Sequence, residues 1–290
     1  MKFSTAWHGF RYMSPANYFS AAAELGLSGV EVPLYHHTLS EWYGPVAPRE
    51  VRRLAEECGV EMVAGVSAME LAGPFDELGR SLTERQVEVQ RALALVLIDI
   101  AYDLGLGVLR IAEPNLAPEH QHLAEQYLAD YGEALGPIGD YGETRGIRVA
   151  VENYGLSPSQ IDSVLQTADH PNVGTLFDPC NYARMGEDPL GALRLLKDRV
   201  FYCHLKDTKQ DEDRDPGQLF PGSRWRPSVA VGDGDIDWAP VLSELRESYD
   251  GYASIEYEPA DDVIFGTRRS LDFIAATLEE SDRTSVAMAE

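Results

Sequence analysis

Cysteine is scarce in this chain: Cys58, Cys180 and Cys203 are the only three in 290 residues, and none forms a CxxC. That excludes a disulfide scaffold and leaves a reducing cytoplasm as the expected compartment. Long apolar runs are missing too. The greasiest stretch, ALALVLI from Ala92 to Ile98, is far short of the about 20 residues needed to cross a bilayer, and it reads as the buried face of a helix. The opening MKFSTAWHGFRYM holds no apolar core long enough for a signal peptide. Positive charge is in deficit, with 24 Lys and Arg against 48 Asp and Glu and a formal net charge of -24. Phosphate backbones and anionic membrane surfaces are bound mainly through clustered Lys and Arg, so neither a nucleic acid nor a membrane is expected as partner. Nor does the first turn carry a GxGxxG; it reads WHGFRYM, which argues against an open dinucleotide-binding sheet.

What is present is a repeated unit of apolar run, polar loop, amphipathic segment and glycine. Gly26, Gly59, Gly105 and Gly146 stand where helix C-caps would place them. Strand candidates follow each: GVEVPL from Gly29, VEMVAGV from Val60, VLRIAE from Val108 and IRVAVE from Ile147. Further candidates begin at Lys2, Asn172, Val200 and Tyr252, which makes eight. Ser14-Pro15 and Ser157-Pro158 put an N-cap before a proline at the first helical position, and SPSQ (157 to 160) and TERQ (83 to 86) fit the capping-box pattern. Eight alternating β-α units in about 250 residues predict a single (β/α)8 barrel over residues 1–280, followed by a flexible tail over 281–290.

In such a barrel the C-terminal strand ends face the active site. The stretch VAVENYG turns from apolar to Glu152 at the end of strand five; strand six ends in Asp178, strand seven carries His204 and strand eight Glu256. Each has an ordinary reading alone: Glu152 as an ion-pair partner, Asp178 as a helix N-cap, His204 as a core histidine, Glu256 as a solvated strand end. Together, three carboxylates and an imidazole on four successive strands repel as bare charges, and a divalent cation resolves the conflict. The donor set suits Mn²⁺, Mg²⁺, Co²⁺ or Zn²⁺ without choosing among them.

The motifs AELGLSGVEV (23 to 32), VENYG (151 to 155), FDPCNY (177 to 182), CHLKD (203 to 207) and VGDGDIDW…YDGYASIEYE (231 to 258) resemble those of the xylose-isomerase-like TIM-barrel superfamily, the sugar phosphate isomerase/epimerase group. The resemblance spans nearly the whole chain. It implies a metal held by Glu152, Asp178, His204 and Glu256, manganese first among the candidates. It also implies proton abstraction next to a carbonyl through an enediolate, with Glu152 and Glu256 as acid and base on opposite faces of a small carbohydrate. Ketose epimerases of the group carry a His three residues after the Asp ligand, where this chain has Asn181, and an Arg where it has Gln210. Arg214, Arg224 and Arg226 of the long loop 207–234 are candidate substitutes, and that loop is a candidate lid.

Further substrate-binding candidates are Trp7, His8, Glu113, Asn181 and Lys206, with Glu31 beside them at the end of strand two. Lys206 shares the face of His204 and could neutralise an enolate or pair with a neighbouring carboxylate. The expected activity is therefore metal-dependent isomerisation or epimerisation of a sugar or keto-sugar. The alternatives are elimination at the same site, on an inosose or a 3-oxo-glycoside, and a non-catalytic sugar-binding subunit. Apurinic endonucleases of this fold use several zinc ions held by additional histidines and grip DNA with basic loops, whereas this chain has seven histidines in all and a net charge of -24. Members of the group commonly form dimers or tetramers, and PLYHH (33 to 37) is a segment that could serve a homo-oligomer.

Overall fold

Glycine and N-cap residues divide the chain where the sequence places them. The computed structural model describes residues 1–35, 38–39, 48–69, 71–73, 82–112, 122–209, 228–258 and 262–289. Barrel strands β1 (Lys2–Thr5), β2 (Gly29–Pro33), β3 (Glu61–Val66), β4 (Val108–Ala112), β5 (Arg148–Glu152), β6 (Val173–Phe177) and β7 (Val200–Leu205) come in chain order. A two-stranded ribbon, β8 (Asp207–Thr208) against β9 (Ser228–Val229), precedes the last barrel strand, β10 (Tyr252–Ile255). The barrel closes as β1-β10-β7-β6-β5-β4-β3-β2 with parallel pairing throughout. All eight strand candidates thus take their predicted places in a (β/α)8 barrel.

The helices that wrap it are α1 (Trp7–Phe10), α2 (Pro15–Glu24), α3 (Pro48–Glu57), α4 (Glu84–Leu104), α5 (Ala124–Arg145), α6 (Pro158–Ala168), α7 (Pro179–Arg184), α8 (Pro189–Leu196), α9 (Trp238–Ser248) and α10 (Val263–Ala289). Both predicted capping boxes form, at Thr83 with Gln86 and at Ser157 with Gln160. Gly105 and Gly146 cap α4 and α5 in the left-handed region, at φ 78° and 67°, which glycine enters without steric cost. One expectation needs correction. ALALVLI does not lie wholly inside: Ala94, Leu97 and Ile98 are buried, but Ala92 and Val96 face solvent, because a seven-residue run covers two full turns and so all sides of a helix. The backbone of 281–289 continues α10, and Arg246 donates to Asp282 and Ser281.

Side chains alternate across each strand, and the barrel separates two apolar populations. The larger cluster, between strands and helices, includes Val149, Val151, Phe177, Cys203 and Ile255. The smaller contains Val108, Ala150, Leu176 and Tyr202 and fills the barrel, where the Tyr202 hydroxyl meets Ser4 Oγ across the interior at 3.1 Å. Two residues further along the same faces stand Arg110, Glu152, Asp178 and His204. Parity alone therefore turns the polar layer into the mouth.

Asp207 organises the base of the long loop. Its Oδ2 accepts from the backbone N–H of Gly232 (2.9 Å) and Gly234 (3.2 Å) and from Trp238 Nε1 (2.8 Å), and its Oδ1 from the N–H of Thr208 (2.8 Å). A Cβ on Gly234 would fall 2.0 Å from Asp207 Oδ1, so glycine permits the approach. Asp207→Ala strands these buried donors and is expected to destabilise the protein by about 3 kcal/mol or more in urea unfolding. Asp207→Asn, which keeps one acceptor, is expected to fall between the two.

Candidate active site

Four strand ends bring Glu152, Asp178, His204 and Glu256 together, all buried, with one donor atom from each within 4.8 Å of the others. Register explains the convergence: β5, β6, β7 and β10 are consecutive around the barrel, and each residue follows an inward-facing neighbour by two.

The ordinary readings of these residues hold on one atom, and the chemistry falls to another. Asp178 does cap α7: its Oδ1 accepts from the N–H of Cys180 (2.8 Å) and Asn181 (3.4 Å). Its Oδ2 makes no hydrogen bond. Glu152 does pair with a cation, taking Arg110 Nη1 at 2.6 Å on Oε2, while Oε1 accepts from Asn181 Nδ2 at 3.2 Å. His204 does have a core partner: Nε2 donates to Glu31 Oε2 at 2.6 Å. Its Nδ1, 3.1 Å from Glu256 Oε2 and 3.7 Å from Glu152 Oε1, makes no hydrogen bond, and nor does Glu256 Oε2. Glu256 is not a solvated strand end as its position suggested, being only 4% exposed. Buried polar atoms normally find partners; Asp178 Oδ2 has none here, while Glu256 Oε2 lies at ion-pair distance from both His204 Nδ1 and Lys206 Nζ. That donor set fits a divalent cation.

The charges of the site are perturbed as burial demands. Burial raises the Glu152 carboxyl, but Arg110 and His204 outweigh it and hold the pKa at about 2. Asp178 is pushed up to about 7, by burial first and by Glu256 and Glu152 against the opposing pull of Lys206. Burial disfavours the His204 imidazolium, yet Glu31 and Glu256 keep its pKa well above the ordinary value. Lys206, 3% exposed, sits 3.2 Å from Glu256 Oε2 and 3.3 Å from Glu258 Oε2. The triad His8, Glu256 and Glu258 also has donors within reach of one another, with Lys206 as its internal cation.

The other predicted residues divide. Asn181 is buried against Glu152. Trp7 and His8 belong to α1 rather than to the end of β1. His8 Nδ1 lies 3.3 Å from Glu256 Oε1 and Nε2 3.1 Å from the Tyr35 hydroxyl. A Cβ on Gly9 would meet the Tyr257 carbonyl oxygen at 2.0 Å, so glycine lets α1 lie against the end of β10 and brings His8 to Glu256. In PLYHH, Pro33 and Leu34 are buried and the half-buried Tyr35 meets His8 and Arg110 through its hydroxyl. Glu113, His36, His37, Gln210, Arg214, Arg224, Arg226 and most of the 207–234 loop lie outside the described residues. Sequence reasoning missed Arg110, Tyr35 and Glu258. Arg110 Nη2 donates to the Tyr35 hydroxyl, and the available signal was a charge at an inward position of the apolar strand VLRIA.

Comparison with known proteins bears on the fold and the family. An inosose dehydratase of Clostridium perfringens is 25% identical over 224 residues, covering 73% of this chain and 75% of that one. Among solved structures, the "probable 3-DHS dehydratase AsbF involved in the petrobactin synthesis" of Bacillus anthracis superposes with a TM-score of 0.75 at 16% identity, over 95% of this chain and 99% of that one. The IOLI protein, crystallised with a binding zinc atom, gives 0.75 at 17% identity over 99% and 97%. No helix among the described residues is long and apolar enough to cross a membrane. A model of the xylose isomerase-like TIM barrel matches residues 19–277, and the chain belongs to that enzyme family.

Proposed function

We propose that this protein is a divalent-metal-dependent lyase that removes water from an uncharged polyhydroxy ketone of the inosose type. The observation that carries the reading is the convergence of buried donor atoms from Glu152, Asp178, His204 and Glu256, with Asp178 Oδ2 left without a hydrogen bond among them. These four side chains would hold the ion, with manganese first among the candidates and zinc supported by the IOLI likeness. When bound, the ion acts as a Lewis acid that acidifies the carbon-bound proton next to the ketone.

The remaining work falls to the chain. Glu152 is held ionised by Arg110 and Glu256 by Lys206 and His204, the state in which a carboxylate accepts a proton. One of the two takes the proton from the carbon next to the carbonyl. The electron pair forms the carbon–carbon double bond, the bond to the β-hydroxyl breaks, and that hydroxyl leaves as water with the proton the base collected. Arg110 and Lys206 are already engaged by carboxylates, which suits a neutral polyol better than a phosphate or carboxylate substrate.

Isomerisation or epimerisation, the first expectation from sequence, begins with the same abstraction. Elimination is preferred because the curated relatives matched over two thirds of the chain or more are inosose dehydratases, and because Asn181 stands where ketose epimerases carry a histidine. The test is incubation of manganese-loaded protein with inososes in D₂O, followed by mass spectrometry. Loss of water, with an ultraviolet-absorbing conjugated product and no turnover after chelation, is the expected result. A product of unchanged formula that carries solvent deuterium would replace the lyase by an isomerase.

A further inference from the structure

We infer that Glu31 is a positioning residue for metal capture, fixing His204 so that Nδ1 is the nitrogen offered to the cluster; this rests on the metal site proposed above. Glu31 is fully buried at the inward face of β2, and its Oε2 accepts from His204 Nε2 at 2.6 Å. β1 and β10 separate β2 from β7 in the barrel, so the contact reaches across the interior rather than between paired strands. At this distance the two side chains share one hydrogen, and with the carboxylate oxygen as acceptor Nε2 is the nitrogen that carries it. The ring's other nitrogen then points toward Glu152 and Glu256, and in the neutral imidazole its lone pair is free for an ion.

Glu31 is itself held. Its Oε1 accepts from the Trp7 backbone N–H at 3.3 Å. The Tyr18 hydroxyl reaches the Glu31 carbonyl at 3.0 Å and the Thr5 carbonyl at 2.7 Å, tying β1 to β2 just below the carboxylate. His204 is 0% exposed and its ring packs edge-on to Tyr202 at 5.7 Å, so orientation is locked from both sides. Outer partners of this kind are worth about 10- to 100-fold in metal affinity.

The experiment is calorimetric titration of Mn²⁺ and Zn²⁺ into chelator-stripped wild type, Glu31→Gln and Glu31→Ala, with circular dichroism melts as the control for folding. Long-range ¹H–¹⁵N spectra of histidine-labelled protein, assigned with His204→Asn, report the tautomer. Glutamine can either accept from or donate to Nε2, so Glu31→Gln is expected to weaken binding about 10-fold and to populate the Nδ1–H form. Glu31→Ala is expected to weaken it about 100-fold. Wild-type affinity and an unmixed Nε2–H tautomer in folded Glu31→Gln would overturn the role of Glu31. A wild type that binds neither ion would instead overturn the metal site itself. If Glu31→Ala does not fold, the glutamine variant decides alone.

Discussion

Glu152→Gln is expected to lower turnover by about 10²- to 10⁴-fold, the range of a positioned acid or base, with a smaller change in KM. Glutamine matches the volume of the carboxylate but cannot take the carbon-bound proton. It also removes the carboxylate charge that faces Arg110, whose Nη1 lies 2.6 Å from Glu152 Oε2 in a pair that is almost wholly buried. Breaking such a pair from one side leaves a buried charge uncompensated and costs about 3–5 kcal/mol. Two losses are thus entangled in one substitution. The double variant Arg110→Met with Glu152→Gln separates them, because it removes the stranded guanidinium: stability should return and activity should not. Recovery of turnover in the double variant would show that Glu152 matters only as the counter-ion of Arg110. Metal content measured alongside distinguishes loss of the base from loss of the ion.

Asp178→Asn should abolish metal binding and, at the same time, stabilise the metal-free protein at pH 8. Asn keeps the Oδ1 acceptor that caps α7 and is as good an N-cap as Asp, so the local fold survives. The charge is what changes. In the folded protein the Asp178 carboxyl titrates near 7, raised by burial and by the carboxylates of Glu256 and Glu152, against about 3.9 in an unfolded chain. A raised folded pKa means that the protonated form stabilises the fold at low pH. That contribution is complete below about pH 4 and is lost as pH rises through 7. At pH 8 the ion-free wild type carries a cost on the order of 2–4 kcal/mol that the amide avoids. Melting curves of chelator-treated wild type and Asp178→Asn should therefore coincide near pH 4 and diverge above it, with the variant higher. If the variant melts lower at pH 8, the charge of Asp178 is balanced within the protein and no ion is needed to relieve it. Adding Mn²⁺ should raise the wild-type curve and leave the variant unmoved.

Much of this was legible in the linear sequence, for reasons that are local. Helix ends announce themselves through Thr83 and Ser157 with their reciprocal glutamines, and through Gly105 and Gly146 at left-handed φ. Strand ends announce the site because an acid after an alternating apolar run can point only inward or outward. Glu152, Asp178, His204 and Glu256 satisfy that parity. What could not be read depends on barrel closure, which brings together residues far apart in the chain. Glu31 and His204 are 173 positions apart, and no local pattern pairs them. Arg110 is a lone charge within VLRIA, and only the pairing of β4 with β5 sets Glu152 beside it. Lys206 was open between two roles, and its position between Glu256 and Glu258 depends on how β7 meets β10. The ALALVLI run misled because composition was read without its helical phase.

The four converging side chains come from strands that are neighbours around the barrel but spread over more than a hundred positions of chain, each set by the parity of a single short strand. Adding or removing one residue within β5, β6, β7 or β10 would swing a donor into the helix layer and open the cluster. Adding ten residues to a helix or loop between them would leave the cluster as it is. For an engineer the molecule therefore has two kinds of length. The few residues before each strand end are counted one by one, and the stretches between them are elastic, so new substrate contacts can be grafted into the mouth loops without re-registering the chemistry beneath.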